Sequence, residues 1–461
     1  VPARAYLPDL LYAGGVVRRG AALVVEDGRV TAVGAPPPGA ERISLPGAAV
    51  VPGLASAHGH AFQRALRGRT QRAAAGGSTF WSWREAMYAL ALRLDPDALE
   101  AVARLLFVEL AESGATATGE FHYLHHDPAG APYADPDELA RRVVAAARQV
   151  GLRVVLLRAS YARGDLGGDP APAQRRFIEA SPDAAVAAVD RLAAAYRSDP
   201  LVGLGLAPHS VRACPPGWLS TLALEAERRR LPLHVHVAEQ VREVEACRAE
   251  HGRSPVQLLA EAGALAPRTT AVHAIHLDPG DAALLGRAGA TVCACPLTER
   301  DLGDGVVPAD ALLEAGARLA LGVDGCAEVD LLAEARALEG HLRLVRLSRA
   351  VLAPPGGGAE ALAARLFGFA SRGGMASLGL AGGALEEGEP ADFVVLDLAH
   401  PSLAGAGEDD LLEVVVFSTA RAAVRDVYVA GEPVVRDGRA ARLDRDRAVA
   451  DAVAALRRLA P

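Results

Sequence analysis

The chain has 461 residues, 51% of them hydrophobic, and a formal net charge of −8; that is enough material for a large α/β domain beside a smaller one. The acidic balance gives no footing to nucleic acid or an anionic membrane surface, no run approaches the roughly 18 to 20 apolar residues of a bilayer span, and the first residues lack the order of an export signal, so the expected location is the cytoplasm. Five cysteines suit reduced thiols, and the absence of lysine removes a Schiff-base nucleophile, a P-loop lysine and a carboxylated lysine bridging two metal ions.

Residues 1–50 read as short strands. Ala22 to Val25 and Val30 to Val33 flank Asp27-Gly28, a hairpin signal. Residues 51–380 alternate between apolar strand-like runs and amphipathic segments. Helical spacing is present from Pro96 to Glu112, Asp137 to Gln149, Pro182 to Tyr196, Trp218 to Arg229 and Val329 to Ser348, with strands at Arg153 to Leu157 and Val202 to Leu206. Residues 381–445 return to the β style of the first segment, at Asp392 to Leu396, Val414 to Phe417 and Asp426 to Gly431, with an Asp437-Gly438 turn. Residues 446–461 read as a closing helix. The expected architecture is α/β: a distorted (β/α)8 TIM-like barrel with a small β-sandwich domain built from both termini.

Polar, metal-competent residues recur at the carboxyl ends of the apolar runs. His58 and His60 follow Ala49 to Leu54, and alternate residues of a strand face the same side. His236 ends Leu231 to His236, His273 ends Thr269 to His273, and Asp324 ends Ala317 to Asp324. Three imidazoles and a carboxylate, from His58, His60, His236 and Asp324, make a catalytic rather than a structural metal set, one that acidifies water. One Zn2+ per chain is expected, although Fe2+ or Mn2+ suits the same donors. Glu239 follows His236 at the spacing that returns a carboxylate over the metal as a proton carrier; its alternative is a solvated first helical turn. Glu239, His273 and Asp324 are the candidate catalytic groups. His276 reads as a helix-entry residue, His125 and His126 as loop residues, and Cys293 and Cys295 as core.

These segments together, His-Gly-His after Val-Val-Pro-Gly-Leu, His-Val-Ala-Glu, His-Ala-Ile-His-Leu-Asp, Leu-Gly-Val-Asp-Gly and Glu389-Pro-Ala-Asp-Phe-Val-Val-Leu, resemble the amidohydrolase superfamily in its mononuclear-zinc deaminase branch. Further segments, His60-Ala-Phe-Gln-Arg-Ala, Phe80 to Tyr88, Glu120 to Asp127 and Leu302-Gly-Asp-Gly305, are similar to the formimidoylglutamate deiminases of histidine degradation. That resemblance implies substrate-binding roles for Gln63, Arg84, Tyr123, His209 and Arg212, a small dicarboxylate substrate and a homodimer. Arginine forks match carboxylates in two-point contacts. Taken alone, Arg84 also fits a stack on Trp81 or a pair with Glu85, and Tyr123 a core aromatic. Arg212 follows the strand Val202 to Leu206 and is expected at the barrel mouth with no carboxylate of its own fixed nearby in sequence. Two loops depart from the pattern, Asp324-Gly325-Cys326 and Leu297 to Asp301, which leaves open a deaminase of another small amidine or an aminopurine.

Overall fold

A computed structural model describes residues 3–71, 78–164 and 168–459. Its first five strands are β1 (Arg4–Ala13), β2 (Val16–Arg19), β3 (Ala22–Glu26), β4 (Arg29–Gly34) and β5 (Glu41–Pro52). Eight parallel strands follow: β6 (Leu54–Ser56), β7 (Ala115–His122), β8 (Arg153–Ser160), β9 (Val202–Pro208), β10 (Leu233–Val237), β11 (Thr269–His273), β12 (Thr291–Ala294) and β13 (Arg318–Leu321). They pair in sequence order from β6 to β13. The ends of that order meet: Ala57 N donates to Leu321 O at 2.8 Å, and a parallel bridge joins Gly59 to Asp324. The sheet is therefore a barrel. Its strands carry runs of Val, Leu and Ala because inner core and outer helices bury both faces.

Local chemistry starts and stops the surrounding helices. Pro96–Glu112 begins with proline in its first turn behind Asp95, whose side chain accepts from Ala98 N. Leu331–Arg346 is capped by Asp330 and ends where Leu347 turns left-handed at φ 52°.

The tail supplies β14 (Phe393–Asp397), β15 (Val424–Val429), β16 (Glu432–Arg436) and β17 (Arg439–Ala440), which join β1 to β5 in one nine-stranded sheet. β5 is the hinge of the pairing, parallel to β1 and antiparallel to β14. The sheet curls on itself: Val30 N donates to Glu389 O at 2.9 Å, and Tyr6, Leu23, Val25, Val50, Phe393 and Tyr428 share one enclosed cluster. Gly53 then turns the chain from β5 into β6. A Cβ there would lie 2.4 Å from the Thr116 side chain, so the Pro-Gly step allows two backbones to approach.

One expected element is corrected. Val414 to Phe417 is not a strand but part of a helix, Leu411–Ser418, because the residues it buries are Leu411, Leu412, Val415 and Val416. Those positions share a face only at helical spacing, and they pack against the helices Leu331–Arg346 and Ala361–Gly368. No helix among the described residues is long and apolar enough to cross a membrane.

Candidate active site

The carboxyl ends of the barrel strands converge on His58, His60, His236 and Asp324. Each offers one ligand atom, and all four atoms lie within 4.8 Å of one another. His58 Nε2 is 3.2 Å from His60 Nε2 and 3.1 Å from His236 Nε2, while Asp324 Oδ1 is 3.4 Å from His58 Nε2 and 3.3 Å from His60 Nε2. Donors about 2.0 to 2.1 Å from a tetrahedral ion would be separated by roughly 3.3 Å, so the set fits a divalent metal. The outer nitrogens agree: His60 Nδ1 bonds Phe121 O at 2.9 Å and His236 Nδ1 bonds His209 O at 3.0 Å. Each ring donates N–H outward and turns the Nε2 lone pair inward.

Electrostatics suit the same role. Burial pushes His58 down to about 3, which keeps it neutral, as a ligand must be. Burial works against ionised Asp324, but His58 and His60 outweigh it and hold the carboxyl well below its usual range. The backbone carries unusual strain here. Ala238, His273, Ala274, Asp324 and Cys326 adopt φ of 51°, 73°, 53°, 39° and 59°, conformations costly for non-glycine residues and sustained only where surroundings impose them.

His273 stands beside this cage. Its Nδ1 lies 3.2 Å from Glu299 Oε1, and its Nε2 lies 3.7 Å from both Glu239 Oε1 and Asp324 Oδ2. Burial disfavours its charge, yet Glu239, Glu299 and Asp324 together raise its pKa well above the ordinary imidazole value.

A pocket opens over the cage and is lined by Gln63, Arg84, Tyr123, His209, Arg212, Glu239 and His273, among others. Gln63 Nε2 donates to Tyr123 Oη at 2.7 Å, so these two form a unit. The Arg84 guanidinium stacks 4.5 Å over Trp81 and 5.6 Å from Tyr88 while still facing the cavity. His209 bonds Tyr161 Oη through Nε2 at 2.8 Å and Ser210 Oγ through Nδ1 at 3.0 Å.

Arg212 finds its carboxylate partners far along the chain. It enters the pocket with carboxylates beside it: Nη2 donates to Glu239 Oε2 at 3.0 Å and Nε lies 3.7 Å from Glu243 Oε2. Arg212 stands on the loop after β9 and Glu239 on the loop after β10, and the pairing of these neighbouring strands brings together residues separated in sequence.

Both departing loops have structural accounts. In the helix Pro296–Leu302, Glu299 supports His273 and accepts from Cys295 N, Thr298 Oγ1 accepts from Gly325 N at 3.2 Å, and Arg300 and Asp301 are exposed. A Cβ on residue 325 would lie 3.3 Å from Gln63 Oε1, so glycine leaves room beside that amide. His276 bonds Asp304 O, and His125 and His126 bond the carbonyls of Ala159 and Ile178, all outside the cage. Sequence reasoning missed Tyr161 and Glu299. Tyr161 directly follows β8, the same strand-end position that marks the other site residues; Glu299 carries no such signal.

Three imidazoles and a carboxylate that could hold a metal ion thus stand at one end of a parallel barrel. The chain belongs to the amidohydrolase family, whose sequence profile matches residues 49–434, and it is a hydrolase acting on C–N bonds. A formimidoylglutamate deiminase of Pseudomonas aeruginosa is 42% identical over 408 residues, covering 88% of each chain. An 8-oxoguanine deaminase of the same organism is 33% identical over 452 residues, covering 94% of this chain and 95% of its own. The crystal structure of an amidohydrolase from Brucella melitensis superposes with a TM-score of 0.90 at 35% identity, covering 99% of both chains.

Proposed function

We propose that this enzyme hydrolyses N-formimidoyl-L-glutamate to N-formyl-L-glutamate and ammonia, a step of histidine breakdown, with one zinc ion held by His58, His60, His236 and Asp324. The observation that carries this reading is the pairing of a cage fit for a metal with two arginines, Arg84 and Arg212, on the walls of one pocket. The 42% identity to a formimidoylglutamate deiminase supports it.

A divalent ion in the cage supplies Lewis acidity, which makes water a competent nucleophile near neutral pH. The water oxygen adds to the formimino carbon, and the bond from that carbon to its terminal nitrogen breaks. Glu239 takes the two protons of the incoming water in turn at Oε1 and delivers both to the departing nitrogen, which leaves as ammonia while the added oxygen becomes the formyl carbonyl. His273, charged through its acidic neighbours, directs Nε2–H at the developing negative charge. Glu299 holds the opposite ring nitrogen and so fixes the imidazole's orientation. Arg84 and Arg212, with Tyr123, His209 and Gln63, bind the two carboxylates and orient the amidine.

The test is ammonia release across a substrate panel. Efficient turnover of formimidoylglutamate is expected; turnover of 8-oxoguanine or adenosine derivatives with none of formimidoylglutamate would replace this reading with an aminopurine deaminase.

A further inference from the structure

Asp324 presents its two oxygens to different partners. Oδ1 faces His58 and His60, as described above, whereas Oδ2 faces His273 Nε2 at 3.7 Å. A carboxylate so placed can bridge two ions, the arrangement found in sites whose metals sit roughly 3.5 to 4 Å apart. Beside this carboxylate stands a second set of donors: His273, Cys295 and Asp324 each offer one atom, and these atoms lie within 4.8 Å of one another. All three are buried. Glu239 Oε1, 3.7 Å from His273 Nε2, stands near enough to add a further oxygen.

Cys295 is placed by the chain and not by chance packing. It follows β12 directly and caps the helix Pro296–Leu302, with its N–H held by Glu299 Oε1 at 2.9 Å. Its sulfur packs in the barrel interior among Ala57, Val272, Cys293 and Ala320, with Cys293 Sγ 4.0 Å away. The first cage has nitrogen and oxygen donors only. The second includes sulfur, and soft donors select thiophilic ions such as zinc and cadmium over magnesium and manganese.

We propose that His273, Cys295 and Asp324 form a second, inhibitory metal subsite that takes a thiophilic divalent ion. Binding replaces the S–H bond of Cys295 and the Nε2–H bond of His273 with bonds to the metal and releases two protons to solvent through the pocket. It occupies His273 Nε2 and draws on Glu239, the groups that move protons in the reaction, so loading the subsite stops turnover; this consequence rests on the roles assigned under Proposed function. The binding itself does not.

The experiment uses holoenzyme carrying one ion per chain, titrated with cadmium, zinc, magnesium or manganese alone. Thiolate-to-cadmium charge-transfer absorption and ion content report binding, and ammonia release reports activity. Wild type should acquire a second cadmium or zinc ion, develop the absorption with cadmium and lose activity on the order of 10²-fold, the lower range for losing a general acid–base group. Magnesium and manganese should leave the rate unchanged. Cys295→Ser and Cys295→Ala should keep the first ion and the basal rate and lose both the absorption and the inhibition. Wild-type enzyme that stays at one ion without charge-transfer absorption would overturn the subsite, whatever the variants do. So would absorption that persists in both variants. A second ion and absorption without inhibition would retain the subsite and reject the assigned roles of His273 and Glu239.

Discussion

Arg212 Nη2 donates to Glu239 Oε2 at 3.0 Å, so the residue read as a carboxylate binder also holds the residue read as a proton carrier. Glu243 steadies both, lying 3.7 Å from Arg212 Nε and accepting from Glu239 N at 3.1 Å. Because Oε2 is committed to Arg212, Oε1 is the oxygen left facing His273.

Replacing Arg212 should therefore affect both binding and turnover. Arg212→Met is expected to cut kcat/KM on formimidoylglutamate by on the order of 10² or more, since losing a buried charge-assisted contact costs about 2 to 5 kcal/mol. KM should rise and kcat should fall, because Glu239 loses its partner. Arg212→Lys should recover little, as an ammonium lacks the planar fork. Steady-state kinetics with metal analysis checks this; a change in KM alone would separate Arg212 from Glu239.

Glu239→Gln should lower kcat by roughly 10² to 10⁴-fold, the usual scale for a general acid–base group. Metal content should stay at one ion per chain, since Glu239 is not among the four donors of the cage. His236→Ala should instead lose the ion. For wild type, a chelator should lower the melting temperature, and restoring zinc at about 100 times its dissociation constant should return about 2.7 kcal/mol. Calorimetry and elemental analysis read both effects.

Much of this site was legible because its residues sit where a strand ends and local pattern marks the place. The His58/His60 spacing and the isolated terminal positions of His236, His273 and Asp324 are properties of single segments. The Arg212–Glu239 pair was not legible, since it joins loops from neighbouring strands. Val414 to Phe417 misled for a different reason: a continuous β-branched run has no period, and only the burial of Leu411 and Leu412 fixes the helical face. Tyr161 was available through the strand-end rule and was missed because an aromatic there also reads as core.

Glu109 provides a pH-dependent contribution to stability. It accepts from Arg64 at 2.7 and 3.0 Å and from Arg67 at 2.5 Å, tying the short helix Ala61–Leu66 that follows His60 to the helix Pro96–Glu112. Burial opposes its charge, but the two arginines outweigh it and lower its pKa. The resulting stabilisation is present above the unfolded value, near 4.3, and is lost as pH falls through the lower folded value. Glu109→Gln should cost about 1 to 3 kcal/mol at neutral pH, and the deficit should close in acid. Denaturation midpoints across pH test this; a deficit independent of pH would assign the effect to packing.

Tyr161→Phe removes the hydroxyl that bonds His209 Nε2 at 2.8 Å. Losing one such hydrogen bond costs about 0.5 to 1.5 kcal/mol, so kcat/KM should fall by roughly two- to tenfold through KM. Metal content and melting temperature should stay near wild type, and an unchanged KM would show that His209 needs no such support.

The barrel closes where its metal donors stand. His60 N donates to Asp324 O and Asp324 N to His58 O, both at 3.1 Å, so the seam between the first and last barrel strands runs through the cage. An ion bound there would fasten the first and last strands of the ring to each other. A chain with its last strand undocked offers paired imidazoles on one side and a detached carboxylate on the other. An ion held by all four donors would therefore require the ring to be closed.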